Sequence, residues 1–235
     1  MGSFMSVLIV RLPQNGHIIL SRSKCRECHR ALGFQDLIPL VSWLFLRGKC
    51  RHCEAPIGLR YLTIEIAAVL ISVWSYASLP NDLYWIGCLF GWCLLTLAVI
   101  DYQHFILPDS LNLFLALLGL YILYELPVDD TYGHILGALI GLVTFFSISF
   151  FYRLVRKKEG LGFGDIKLFS VIGIWVGWNG LPSVLLIACG GAIANILIRN
   201  SLGLRFIKNE KIPFGTFLCL GAWIIWLYGP IRLAI

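Results

Sequence analysis

The chain alternates between long uncharged apolar runs and short polar stretches. About 20 apolar residues in a helix cross the hydrocarbon core of a bilayer. After residue 60 the pattern predicts seven such helices, and the turn sequence Asn179-Gly180-Leu181-Pro182 separates the fifth from the sixth. They cover residues 62–80, 83–100, 110–126, 134–153, 165–179, 181–199 and 213–231.

The first 60 residues have a different character. Residues 1–10 are apolar but too short for a full span, so we expect a first or partial membrane helix there, with no cleavable signal peptide. Residues 11–60 are polar and basic and predict a small module, while residues 61–235 form the membrane domain. With 58% of residues hydrophobic, the predicted fold class is an all-α polytopic membrane protein with seven to eight transmembrane helices.

Lysine and arginine residues predict the orientation of these helices. If residues 11–60 face the cytoplasm and the helices alternate, every Lys and Arg except Arg232 lies on the cytoplasmic side. This is the positive-inside pattern, and it accounts for the net charge of +6 without a nucleic-acid partner. The same alternation places Asp101 and Asp165 together on the cytoplasmic face.

Four cysteines in the polar module form two Cys-x-x-Cys pairs. Cys25 and Cys28 are separated from Cys50 and Cys53 by 21 residues. Two turns of this kind can close a tetrahedral thiolate site, so the spacing predicts a structural zinc ion. Cytoplasmic thiols stay reduced, which argues against disulfides. Four free thiols and a redox pair are the alternatives.

Asp101 and Asp165 are the candidate catalytic residues. Each lies where an apolar run meets a polar edge, and ionisable groups at membrane depth mark function by default. Two carboxylates in contact cannot both ionise easily, and one shared proton is the working state of an aspartyl protease. Asp109 is the rival of Asp101, but it resembles the N-cap of the next helix.

The segment Gly160-Leu161-Gly162-Phe163-Gly164-Asp165 carries alternating glycines. Glycines permit both close approach and positive φ, so we expect Gly162 and Gly164 to let an extended peptide run beside the loop, and Lys167 to reach the membrane surface. A nucleotide-binding loop is disfavoured because no strand of a βαβ unit precedes it. From the residues alone, a proton-coupled transporter and an inactive membrane scaffold stay open beside the protease.

These motifs together resemble the type IV prepilin peptidases, which are leader peptidase/N-methyltransferases of the GxGD aspartyl protease class. The resemblance covers nearly the whole chain. It rests on the opening Gly2-Ser3-Phe4, the paired Cys-x-x-Cys motifs, Ile100-Asp101 through Pro108-Asp109, Gly160 to Leu168, and Ile212-Pro213-Phe214-Gly215. The chain departs from the family pattern at Ser6 and Leu62, and it begins later than most members.

The resemblance implies several expectations. Asp101 and Asp165 would be the catalytic pair, and the four cysteines would bind zinc. The substrate would be a prepilin or pseudopilin whose basic leader is cleaved after a glycine at the cytoplasmic edge of a bacterial inner membrane. The new N-terminal amine would then be methylated, with S-adenosylmethionine as the methyl donor.

Overall fold

The protein is described here from a computed structural model. It describes residues 2–14, 25, 27, 28, 30, 31, 33, 43, 45–125, 130–158, 160–203 and 211–231. The described residues form helices and turns, with one isolated antiparallel bridge between Lys49 and Pro56 and no strand.

Seven α-helices occur in the described part of the chain. They are α1 (Gly2–Arg11), α2 (Leu59–Ser78), α3 (Asn81–His104), α4 (Asp109–Glu125), α5 (Thr131–Arg156), α6 (Phe163–Ser201) and α7 (Phe214–Tyr228). By length and composition α2, α3, α5 and α6 can each cross a membrane, and α7 is a shorter apolar helix. The chain is therefore a helical protein suited to a bilayer, as the apolar pattern predicts.

The chain divides into two compact units, residues 1–96 and 97–235. In the first unit α1 lies against α2. Helices α2 and α3 are joined by a hydrogen bond of 3.0 Å that the Trp92 indole donates to the Ala68 carbonyl. The second unit contains the end of α3 and all of α4 to α7, and it carries both candidate aspartates.

Helix α6 reverses its direction at Gly177. Gly177 has φ 68° and ψ 172°, a conformation that L-residues with a Cβ rarely adopt. Before the break, α6 runs parallel to α7. Gly164 and Gly215, near the two N-termini, both lie beside Leu107, and further along the helices the ring centroids of Trp175 and Trp226 are 5.7 Å apart.

After the break, α6 runs antiparallel to α7. Gly180 approaches Ile225, Val184 lies against Gly221, and Gly191 lies against Phe217. The predicted turn at Asn179 to Pro182 was therefore placed slightly too late. The reversal occurs at the residue that tolerates positive φ, whereas Pro182 lies near the start of the following helical segment, where a missing N–H is more easily tolerated.

Close helix packing fixes the first half of α6 against α5. A Cβ on Gly137 would lie 2.6 Å from the Gly173 carbonyl oxygen, and one on Gly141 would lie 2.8 Å from the Phe169 oxygen. Small residues let two helix backbones approach in this way. Ser170 adds a 2.9 Å hydrogen bond to the Ala138 carbonyl. This seam holds the helix that carries Asp165.

Candidate active site and metal centre

Asp101 lies in the last turn of α3 and is 5% exposed. The C-terminus of a helix disfavours a negative charge. The structure supplies compensation from the start of α7, where the backbone N–H of Thr216 donates to Asp101 Oδ2 at 2.8 Å. The Thr216 hydroxyl also reaches Oδ2 at 3.2 Å and the Ala98 carbonyl at 3.0 Å. The free N–H groups of one helix thus face the carboxylate at the end of another.

Asp165 lies in the first turn of α6 and is partly buried. Its Oδ1 is inaccessible to solvent and has no hydrogen-bond partner. Its Oδ2 lies over Gly162, 3.0 Å from the position that a Cβ would take there. Asp165 and Asp101 are close enough to interact electrostatically. The structure therefore brings the two predicted aspartates together at one end of the second unit.

Leu107 lies between the start of α6, which carries Asp165, and the start of α7, whose Thr216 binds Asp101. A Cβ on Gly164 would lie 3.0 Å from Leu107 Cβ, and one on Gly215 would lie 2.9 Å from Leu107 Cδ1 and 3.0 Å from Asp101 Oδ2. Both glycines are therefore needed for close approach. The Leu107 side chain is only 8% exposed and separates the start of α6 from the start of α7.

The glycine segment differs from the predicted loop. Gly162 is the N-cap of α6 with φ −67°, and Gly164 already lies in the first helical turn, so neither adopts a positive φ. The expectation of positive φ was wrong, whereas close approach does occur: Gly164 leaves space for Leu107, and Gly162 for the Asp165 carboxylate.

Lys167 joins the starts of α4 and α6. Its Nζ contacts both carboxylate oxygens of Asp109, at 2.7 and 2.8 Å. Asp109 is the first residue of α4 and not the residue before it, so the N-cap interpretation of Asp109 is corrected to an ion-pair partner. Lys167 also lies 4.9 Å above the Phe163 ring.

Sequence analysis missed Thr216 and Leu107. Thr216 directly follows the Pro213-Phe214-Gly215 stretch, and proline before an apolar run is a signal for a helix N-terminus. Its partner, Asp101, is 115 residues away along the chain. In the sequence Leu107 is an ordinary apolar residue, and its position between α6 and α7 is evident only from its contacts with Gly164 and Gly215.

The chemistry of the two aspartates suits general acid–base catalysis. One carboxylate is held by donors, while the other keeps an unpartnered buried oxygen. Two carboxyl groups in different surroundings can divide the roles of base and acid. The thiol of Cys219 on α7 is also fully buried and lies within electrostatic range of both.

The four predicted cysteine ligands also converge. The Sγ atoms of Cys25, Cys28, Cys50 and Cys53 all lie within 4.8 Å of one another, and the pair Cys25–Cys53 is 3.7 Å apart. Tetrahedral zinc with Zn–S bonds near 2.3 Å needs sulfurs roughly 3.8 Å apart. The residues present therefore fit a zinc ion.

Backbone geometry around the cysteines supports this fit. Cys50 N donates to the Ala55 carbonyl at 2.9 Å, and Glu54 N donates to the Cys50 carbonyl at 3.0 Å, which closes a tight turn. Hydrogen bonds from the backbone N–H groups of Cys28 and Glu27 lower the pKa of Cys25 to about 6. A thiolate is the form that binds metal, so the turn at Cys25 favours coordination. At Cys53 a backbone hydrogen bond from Ala55 is outweighed by desolvation and the three neighbouring thiols, which raise its pKa to about 12.

Comparisons with known proteins agree with the sequence motifs. The model of the bacterial peptidase A24 N-terminal domain matches residues 1–79, and that of the type IV leader peptidase family matches residues 88–198. No solved structure matches the chain.

Curated relatives extend the match over nearly all of the chain. A prepilin leader peptidase/N-methyltransferase of Stutzerimonas stutzeri is 34% identical over 97% of this chain and 87% of the relative. Proteins of the same name from Aeromonas hydrophila and Pseudomonas aeruginosa are also 34% identical, with the same coverage. The chain belongs to the type IV leader peptidase family.

Proposed function

We propose that this protein is a membrane aspartyl endopeptidase that cleaves the leader of type IV prepilins or pseudopilins and then methylates the new N-terminus. The observation that supports the peptidase assignment is that Asp165 and the Thr216 donors of Asp101 lie on either side of Leu107, in a chain whose relatives are prepilin leader peptidase/N-methyltransferases. Neither the transporter nor the inactive scaffold has a comparable observation in its favour.

The proposed cleavage uses the two carboxyl groups as base and acid. The ionised group takes a proton from a water molecule, and the protonated group polarises the scissile carbonyl. Leu107, with Gly164 and Gly215 on either side, keeps the start of α6, which carries Asp165, at a fixed distance from the start of α7, which binds Asp101. Holding the reacting groups in place in this way is a large part of the rate gain.

The proposed membrane arrangement has seven passes after residue 58. The 39 residues of α6 would extend about 58 Å as a straight helix, nearly twice the hydrocarbon thickness. Reversal at Gly177 supports two passes instead. The distribution of Lys and Arg supports a cytoplasmic position for the cysteine module and for the aspartates, in the inner membrane of a bacterium.

The proposed zinc site consists of Cys25, Cys28, Cys50 and Cys53, and four thiolate ligands leave no open position for catalysis. Zinc would therefore fold the module. For methyl transfer, S-adenosylmethionine would supply an activated methyl group to the free amine. The relatives' name supports this second activity, and no described residue is assigned to it.

Two substitutions test the peptidase assignment. Asp101→Asn and Asp165→Asn keep the shape of each side chain but remove its ability to cycle a proton, so we expect cleavage of a co-expressed prepilin to fall at least about a thousandfold. Asp82→Asn, at the other end of α3, is the matched control and should retain wild-type processing. Full processing by either site variant would refute the aspartyl mechanism.

Mass spectrometry of the mature pilin reads both activities together. The N-terminal peptide gives the cleavage position, and one added methyl group on its amine reports methyl transfer. A cleaved but unmethylated product would retain the peptidase assignment and remove the methyltransferase one. Proton-linked uptake in vesicles without any cleavage would favour transport.

A further inference from the structure

We propose that the two aspartates have fixed and different roles: Asp101 is the ionised base, Asp165 carries the proton, and Thr216 is the positioning residue that sets this difference. The proposal rests on the peptidase function above and deepens it. The geometry around each carboxyl group supports it independently.

Burial and the C-terminus of α3 disfavour a charge on Asp101, and hydrogen-bond donors at the start of α7 oppose both effects. Thr216 N–H, in the first turn of α7, has no partner within its own helix and donates to Oδ2 at 2.8 Å. The Thr216 hydroxyl is shared between this oxygen and the Ala98 carbonyl. Donors to a carboxylate stabilise the ion, and the N-terminus of a helix adds a favourable dipole.

Asp165 lies in the first turn of α6, which favours a charge, but burial of its Oδ1 and the nearby Asp101 favour the neutral form. Its Oδ1 is buried and accepts no hydrogen bond, and an ionised oxygen in such a place lacks compensation. A protonated carboxyl needs no donor and can itself donate. Because the two groups interact, a charge on Asp101 further disfavours a second one on Asp165.

The assigned roles give a balanced reaction. Asp101 takes one proton from water while the water oxygen bonds to the scissile carbon, and Asp165 gives its proton to the carbonyl oxygen. The product is a neutral gem-diol. When the C–N bond breaks, the proton on Asp101 goes to the leaving amine and a diol proton returns to Asp165. Both groups are then in their starting states.

Thr216 allows a graded kinetic test. Thr216→Val removes the hydroxyl and keeps the N–H, so we expect kcat for prepilin cleavage to fall about fivefold with KM unchanged within about twofold. A hydrogen bond donated entirely to a charged group would give a loss of roughly tenfold or more, but this hydroxyl is shared. Thr216→Ser should restore kcat to within about twofold of wild type.

Controls separate positioning from a general effect on helices. Thr144→Val removes a similar hydroxyl, bonded to the Ile140 carbonyl within α5, and should leave kcat unchanged. Unchanged kcat in Thr216→Val, or failure of Thr216→Ser to restore it, would overturn the role of Thr216.

Infrared difference spectroscopy shows, without substrate, which carboxyl group is ionised and which is protonated. With carbon-13-labelled aspartate, Thr216→Val should shift the stretches of an ionised carboxylate, because the carboxyl group to which Thr216 donates is that of Asp101. The C=O band of a protonated carboxyl, assigned to Asp165, should keep its wild-type frequency. A shift of the protonated band, or an unshifted carboxylate band, would overturn the assignment. Wild-type protein that fails to cleave any prepilin would instead refute the proposed function and leave this measurement valid.

Discussion

Replacing Gly137 by alanine tests the close seam between α5 and α6. A Cβ at Gly137 would lie 2.6 Å from the Gly173 oxygen and 2.8 Å from two further backbone atoms, the Gly177 carbonyl carbon and the Trp178 nitrogen. Ordinary contact begins at 3.4 Å, so the helices must separate by about 0.8 Å. Backbone atoms cannot rotate away as a side chain can.

The expected magnitude combines two opposing effects. Overpacking costs roughly 1–3 kcal/mol, and the rigid backbone neighbours place Gly137→Ala at the upper end of that range. Alanine gains about 1 kcal/mol over glycine in helix propensity. We therefore expect the free energy of unfolding to fall by about 2 kcal/mol.

Gly190→Ala is the matched control, because nothing lies within 4 Å of a Cβ at this helical position. Here only the propensity effect acts, so the variant should gain roughly 0.5–1 kcal/mol. Thermal unfolding of both variants in the same detergent, followed by circular dichroism, gives the comparison. Equal stability of the two variants would refute the close approach of α5 and α6.

Two further predictions concern ion pairs and metal. Lys167→Met should lower the free energy of unfolding by only about 0.2–1 kcal/mol, because the Asp109 side chain is 72% exposed. A variant that exchanges the two charges should recover most of this loss. A loss above about 3 kcal/mol would contradict the prediction. We expect the purified protein to hold about one zinc ion per chain, measured by plasma mass spectrometry, and Cys53→Ser to reduce this content. Cys189→Ser, which lies outside the cluster, should retain the metal. Full zinc in Cys53→Ser would refute the four-thiolate site.

Local patterns predicted much of the structure. Long apolar runs gave helices at nearly the predicted positions, for example α5 at Thr131–Arg156 against 134–153. Charged and reactive residues at the ends of such runs pointed to Asp101 and Asp165, and the spacing of the cysteines pointed to a cluster. Each of these signals lies within a few residues of sequence.

Pairings between distant residues could not be predicted in this way. The bond from Thr216 to Asp101 and the ion pair of Lys167 with Asp109 join segments that only the folded bundle brings together. The position of the reversal was missed by a few residues because Asn-Gly-Leu-Pro is a stronger local turn signal than the single glycine at 177.

The placement of the aspartates at one end of the bundle has a physical reason beyond access to water. The N-termini of α4, α6 and α7 meet there, as the contacts of Lys167 with Asp109 and of Leu107 with Gly164 and Gly215 require. Each N-terminus presents free N–H groups and the positive end of a helix dipole. The C-terminus of α3 is the one that carries Asp101, and its unfavourable dipole acts on that carboxylate. The Thr216 donors at the start of α7 oppose that dipole, so a bundle with few charges can hold an ionised carboxylate at this end, which the middle of the same helices would not allow.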